Sequence, residues 1–383
     1  MAVTGLQFLG FTVFVAVIIY LHFFLAHREL RRLREEQPLE INWRYVRTED
    51  FFGQSFRQKL QDWLQLPGET ENGGRVIKKG NERIVRVTSS VDFPPRTILD
   101  DVLVVDGDFS CGADGVFSRE IYVRGNCRVG AGSRVQAIAV DGNLTLEPFV
   151  TVVRWCDTNG ILDVGKGATI KARSVSRTRV QLAPDSKVVS VYAPEVATNS
   201  YRKAAVRESP AAPVIAIEIP LPSPPPSREA LKGAGLDPGR LHRLSEDCWL
   251  HKGDLQLSAP LRLKTRLVVK GNCWCPAGSV LEEDLKADGS LQIGEGSVCH
   301  GNLVADGDIK MGRASRFSHI IHAGGTLRLG SGVLGFHESA MVVAYAVGHL
   351  FVANGVTVKG KLASGERVVA LPANGEPGSK TGR

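Results

Sequence analysis

Apolar residues stand at every second position in short bursts along this chain, and a glycine closes each burst at intervals of mostly 17 or 18 residues. The glycines are Gly107, Gly125, Gly142 and Gly160, then Gly253, Gly271, Gly289, Gly307 and Gly325. Four positions before them stand Leu103, Ile121, Ile138 and Cys156, then Leu267, Leu285, Leu303 and Ile321. Two positions after them come Phe109, Cys127, Leu144 and Leu162, then Leu255, Cys273, Leu291, Ile309 and Leu327. Alternation of this kind predicts strands, with successive side chains on opposite faces. The glycine, with Asp, Asn or Ser beside it, predicts a bend. A second bend is predicted at each G-x-G step, as in Gly130-Ala131-Gly132 and Gly294-Glu295-Gly296.

A fixed period this short predicts a solenoid, because one repeat cannot bury its apolar face without a neighbour stacked on it. Coils then stack in parallel at about 4.8 Å per rung, with identical positions forming interior columns. LVVDG at 103–107 returns as LVVKG at 267–271, so the whole run occurs twice at an offset of 164 positions. The expected fold is mainly β: two short parallel β-helix domains with coils of about 18 residues, at 76–192 and 240–372, plus an N-terminal transmembrane α-helix. Charge placed in an interior column, as in Leu291→Asp or Ile309→Lys, is expected to collapse a block.

The remaining segments read differently. Residues 6–26 are almost wholly apolar, and 21 residues at about 1.5 Å each reach about 31 Å, enough to span a hydrocarbon core. Arg28, Arg31, Arg32 and Arg34 follow directly. The positive-inside rule then predicts a single-pass inner-membrane protein, with residues 1–27 as anchor and the C-terminal part in the cytoplasm. His22 falls near the cytoplasmic end of that span, where a side chain reaches the headgroups. In the juxtamembrane segment 28–75, residues 49–66 predict an amphipathic helix with Phe52, Phe56, Leu60, Trp63 and Leu64 on one face and Arg57, Lys59 and Asp62 elsewhere. Such a helix lies on the bilayer, caps the first coil, or packs on the solenoid flank. Residues 193–239 lose the period and hold seven prolines between 209 and 227, which predicts an extended spacer. Residues 373–383 are expected to be a disordered tail.

Composition narrows the functional classes. The net charge is +7, but the basic residues are scattered and no aromatic-interleaved basic stripe occurs, so nucleic acid is not an expected partner. Of the seven cysteines, Cys111, Cys127, Cys156, Cys273 and Cys275 fall in apolar columns, which favours core packing over a zinc site completed by Cys299 and His300. No disulfide framework is expected. The acidic corner residues Asp106, Asp108, Asp141, Asp288, Asp306 and Asp308 alternate with Arg124, Lys252 and Lys270, and read as turn and surface groups rather than a sugar or calcium groove.

The stretches LVVDGDF, IYVRGNCRVGAG, IAVDGNL and ILDVGKG, then LVVKGNC, LKADGSLQIGEG, LVADGDI and TLRLGSG, together resemble the bactofilins, bacterial polymer-forming cytoskeletal proteins. The resemblance covers about 98–182 and 250–335. It implies a β-helix that polymerises end to end without nucleotide, often at the membrane, and scaffolds envelope or shape-determining enzymes. Family members usually carry one β-helix, whereas two are expected here in tandem. The expected function is accordingly structural: self-association through unpaired backbone edges near 255–263 and beyond Leu350, with no catalytic residue, cofactor or metal. The alternative is a left-handed hexapeptide-repeat acyltransferase, since Leu285, Leu291, Leu303, Ile309, Ile321 and Leu327 keep a six-residue beat broken by Ser297 and Ser315. His300, His319, His322 and His337 are its candidate bases, and no histidine stands between 46 and 240 to match them in the first half.

Overall fold

The interior columns assemble as the period requires. The structure, a computed structural model, describes Tyr20 and residues 49–71, 74–80, 82–198, 236–245 and 247–372. Each coil contributes short strands to three stacked columns. Leu103 pairs with Ile121, Ile121 with Ile138, and Ile138 with Cys156, all in parallel register. In the second block Leu267 pairs with Leu285, then Leu303, then Ile321. These side chains are almost fully buried, and one hydrophobic cluster runs through both blocks.

The corners are held by two devices. At the repeat glycines the cause is close approach: a Cβ on Gly125, Gly142, Gly271 or Gly289 would overlap backbone or Asx atoms of the coil before it. Among the nine repeat glycines a positive φ is found at Gly253 alone, at 82°. At the G-x-G corner the second glycine is left-handed, with φ near 70° at Gly132, Gly167, Gly296 and Gly332. Asp114, Phe149 and Ala314 take the same conformation in other coils, at φ of 59°, 63° and 53°. Serines follow that corner in the interior: Ser297 Oγ donates to Pro276 O at 3.3 Å and Ser315 Oγ to Gly294 O at 3.0 Å. The positions that interrupt the apolar beat are thus satisfied core positions.

The expectation of two separate solenoid domains is corrected. Strand Lys187–Thr198 ends the first block, and strand Thr357–Ala370 ends the second. They pair antiparallel from Lys187↔Val369 to Ala197↔Thr357, with two register shifts, so the blocks meet C-terminal end to C-terminal end. Each final coil would otherwise leave a row of unpaired N–H and C=O groups, and the joint satisfies both rows at once. The result is one continuous solenoid within the compact unit 52–383. The edge expected to be free beyond Leu350 is therefore consumed by this joint. Residues 193–198 of the expected spacer belong to the joining strand, while 199–235 lie outside the described residues.

The two distal ends carry similar caps. Strand Gly74–Lys79 folds back antiparallel on Glu82–Val87 at the start of the first block. Strand Leu241–Ser245 does the same on Cys248–His251 at the start of the second. Leu236, 2% exposed, closes the interior there beside Trp249, Leu257 and Leu261.

The expectation of a transmembrane helix and a single-pass inner-membrane location is also corrected. Among the described residues no helix is long and apolar enough to cross a membrane. The stretch 6–26 and the membrane-flanking Arg28, Arg31, Arg32 and Arg34 lie, Tyr20 aside, outside the described residues, as do His22 and the tail 373–383. The one helix fully described is α1, Phe51–Leu64, within the range predicted for an amphipathic helix.

Candidate functional site

Since the blocks join antiparallel, one column of strands from each lies on the same side of the solenoid. Register pairs trace a single outward row across it: Val104, Tyr122, Ala139, Asp157, Val175 and Tyr192, then Lys361, Val343 and Ile320. This shared face is the candidate interface. Among the described residues, its first-block half is covered and its second-block half is not.

Helix α1 forms the cover. Leu60 and Trp63 are buried against Val102, Val104, Tyr122, Ala137, Ala139 and Trp155. Phe56 meets Trp155 edge to face with ring centroids 5.6 Å apart. Ala137 and Ala139 keep the sheet low where the bulkier helix residues sit, and Gly53 lets the helix backbone approach Asp157 so closely that a Cβ would overlap its carboxyl. Of the three placements open to this segment, the structure selects packing on the solenoid flank.

An ion-pair cluster fixes α1 in position. Arg57 donates from Nε to Asp141 Oδ1 at 2.9 Å, from Nη1 to Asp157 Oδ1, and from Nη2 to the Val140 carbonyl at 2.9 Å. Burial opposes the guanidinium charge, but Asp157 and then Asp141 outweigh it and raise the Arg57 pKa. Tyr122 donates its hydroxyl to Asp141 Oδ2 at 2.6 Å. Burial, then that bond, pushes the phenol up to about 12. The sequence reading put Arg57 off the apolar face and missed Asp157. The available signal was an acidic residue between Trp155-Cys156 and Thr158 in an otherwise apolar strand register. A buried carboxylate there demands a cation from elsewhere.

In the second-block half the same column carries Val268, Lys286, Val304 and His322 in one row and Arg266, Asp284, Asn302 and Ile320 in the next. They line a groove of about 500 Å³, with Ile320 47% exposed. His322 stacks on Tyr345 at 5.3 Å. Lys286 stands where the first block has Tyr122, and His322 where it has Asp157. Of the two Arg57 acceptors, Asp141 has an acidic counterpart in Asp306, whereas Asp157 has none.

A ladder of Asx and Ser side chains runs beside the repeat glycines. Asp108 Oδ1 accepts Asn126 N–H at 2.7 Å, Asn126 Oδ1 accepts Asn143 N–H at 3.0 Å, and Asn143 Oδ1 accepts Ile161 N–H at 2.8 Å. The second block repeats it through Asp254, Asn272, Ser290 and Asp308 to Thr326. Residues read from sequence as bend-formers thus also bond coil to coil. The remaining acidic corner residues pair with neighbouring bases: Asp106 with Arg86 and Arg124, and Asp288 with Lys270 at 2.7 Å. Ladder residues Asp108, Asn126 and Asn143 also border a groove of about 570 Å³ on a second face of the first block.

The cysteines expected in apolar columns are buried there, and Cys299 joins them. Burial raises the thiols of Cys127 and Cys156 and lifts Cys299 to about 12, while the contact with Cys275 does most to raise Cys273. These thiols pack as protonated apolar groups. Among the described residues no group of three His, Cys, Asp or Glu is arranged to hold a metal. His319 and His337 touch edge to face at 4.9 Å, and His319 Nδ1 contacts the His300 carbonyl. His322 lies apart on the shared face. His349, not singled out from sequence, sits 2.6 Å from Glu366 on the surface. Comparison with family models, curated proteins and solved structures finds no match.

Proposed function

We propose that this protein is a self-associating structural scaffold, with activity residing in its surfaces rather than in a catalytic centre. The observation that carries the reading is the joint between Lys187–Thr198 and Thr357–Ala370. Within this chain the terminal coils of the two blocks join end to end by backbone hydrogen bonds, and that supports the reading. Such a joint needs no matched side-chain set, only two exposed strand rows of compatible length and twist. Beside their antiparallel caps the distal ends retain, among the described residues, short rows of that kind. Strand Arg262–Leu263 pairs on one side with Val280–Leu281, and strand Val91–Phe93 on one side with Phe109–Cys111. The resemblance of the repeat motifs to the bactofilins points the same way, toward a polymer-forming role.

The test is light scattering and electron microscopy of the full chain across a concentration series. Rods growing in steps of one solenoid, about 60 Å at about 4.8 Å per rung, are expected. The variants Arg262→Pro and Asp92→Pro remove an edge donor and should shorten or abolish the rods. A monodisperse monomer at every concentration overturns the proposal.

A further inference from the structure

Charge on the solenoid is not spread evenly around its three faces. The shared face carries Asp157, and the first block's second face carries Asp92 and Asp163. The third outward row runs from Arg134 through Lys187, crosses the joint, and continues through Phe351, Arg328 and Lys310 to Trp274. No carboxylate stands in that row. Lys171 and Arg367, both exposed and each two residues from a row position, widen it beside the joint. Lys166 and Arg313 border it at the G-x-G corners.

On the other faces Arg86 is neutralised by Asp106, Arg128 by Glu147 and Arg262 by Glu282. Among the described residues Arg134, Lys171, Lys187, Lys310 and Arg367 enter no ion pair, and Arg328 reaches Asp308 only at 3.9 Å. Asp114, Asp185 and Glu295 at the neighbouring corners offset part of this charge and leave a positive surplus. Linear order hides it: Lys310 and Arg328 are 18 positions apart yet occupy adjacent rungs. The expectation against nucleic acid rested on that linear order.

Aromatic rings stand among the cations. Trp274, 37% exposed, has Gln256 and Gln292 on the neighbouring rungs. Phe149, 64% exposed, projects from the G-x-G corner in a left-handed conformation, φ 63°, that a bulky residue seldom adopts. A Cβ on Gly167 would lie 2.7 Å from that ring, so the ring has room only beside glycine. Cations with open rings at their margin suit a single strand, whose phosphates meet the charges while unstacked bases lie on the rings. Duplex fits less well, because among the described residues no helix or hairpin projects from this face to enter a groove.

We propose that this protein binds single-stranded nucleic acid along the row from Arg134 to Trp274, about 43 Å long at about 4.8 Å per rung. Lys187, Lys310 and Arg328 contact phosphates, and Trp274 and Phe149 stack on bases. The row lies along the side of one chain, so binding does not require end-to-end assembly.

The experiment follows the fluorescence anisotropy of a labelled oligothymidylate of about 15 nucleotides, titrated with the full chain at several salt concentrations. Three or four phosphate contacts predict a slope of about −2 to −3 in log affinity against log salt. Lys187→Ala with Lys310→Ala should weaken binding at least about tenfold and make the slope shallower by about 1.4. Trp274→Ala should weaken binding about tenfold and leave the slope unchanged. Lys286→Ala, on the shared face, should change neither. Absence of binding at the lowest salt overturns the proposal. So does equally tight binding of a duplex, of polygalacturonate at matched charge or of phosphatidylglycerol vesicles. An unchanged affinity in the double lysine variant, with its melting temperature retained, overturns it as well.

Discussion

The two halves of the shared face have the same strand register and opposite fates. In the first block Val104, Tyr122, Ala139 and Asp157 lie under a helix, and in the second Val268, Lys286, Val304 and His322 line an open groove. The inward positions beside them did not diverge: Leu103, Ile121 and Ile138 correspond to Leu267, Leu285 and Leu303, all buried. A solenoid interior is constrained by its neighbours above and below, so every coil wants the same side chain. The exterior has no such constraint, and a duplicated block can acquire a different partner there at little cost in stability.

The sharpest way to break this comparison is to exchange interior for exterior. Leu291→Asp should destabilise by more than about 4 kcal/mol or prevent folding, since it buries an unpaired carboxylate. Gln292→Asp, one residue on and outward, should move stability by less than about 0.5 kcal/mol. Equal melting temperatures for the two variants would refute the assignment of interior and exterior.

Next in size is the clamp. Asp157→Ala leaves Arg57 half-paired under α1 and should cost about 3–5 kcal/mol in thermal or denaturant unfolding. His322→Ala, at the corresponding site of the other half, should cost no more than about 0.5 kcal/mol. A similar loss at both sites would mean the halves are not as different as the geometry indicates.

Smaller effects sharpen what the blocks share. Asn126→Ala and Asn272→Ala each remove one ladder acceptor and should cost about 1–2 kcal/mol, by similar amounts in both blocks. Ala314→Gly relieves a left-handed backbone and should stabilise by about 1 kcal/mol in denaturant melts. Asp114→Gly should gain less, because Asp tolerates that conformation better.

The last effect is a pH slope. Burial and the bond to Asp141 raise the Tyr122 phenol from 10.0 to about 12. The neutral phenol's contribution is therefore complete below pH 10. As pH climbs from 10 to 12 the unfolded chain ionises while the folded chain resists, so stability falls across that window. Tyr122→Phe should flatten this component of the pH profile.

Much of this was readable from the chain. Alternation and the glycine period gave the coils, and the columns placed Cys127, Cys273 and Cys275 inside. The apolar spacing of Phe56, Leu60 and Trp63 gave α1. The joint was not readable, because backbone pairing between two terminal coils leaves no side-chain signature. Nor was the partner of Arg57, which is 84 and 100 positions away from Asp141 and Asp157.

By itself the sequence determined the repeating element: a coil of about 18 residues whose inward positions must be apolar and whose corners need glycine, because those requirements are local and recur at every rung. Only the tertiary structure decided that two such stacks meet antiparallel as one solenoid, bringing one face of each to the same side. That outcome depends on which exposed edges find each other, and on a helix that a buried carboxylate admits on one half alone.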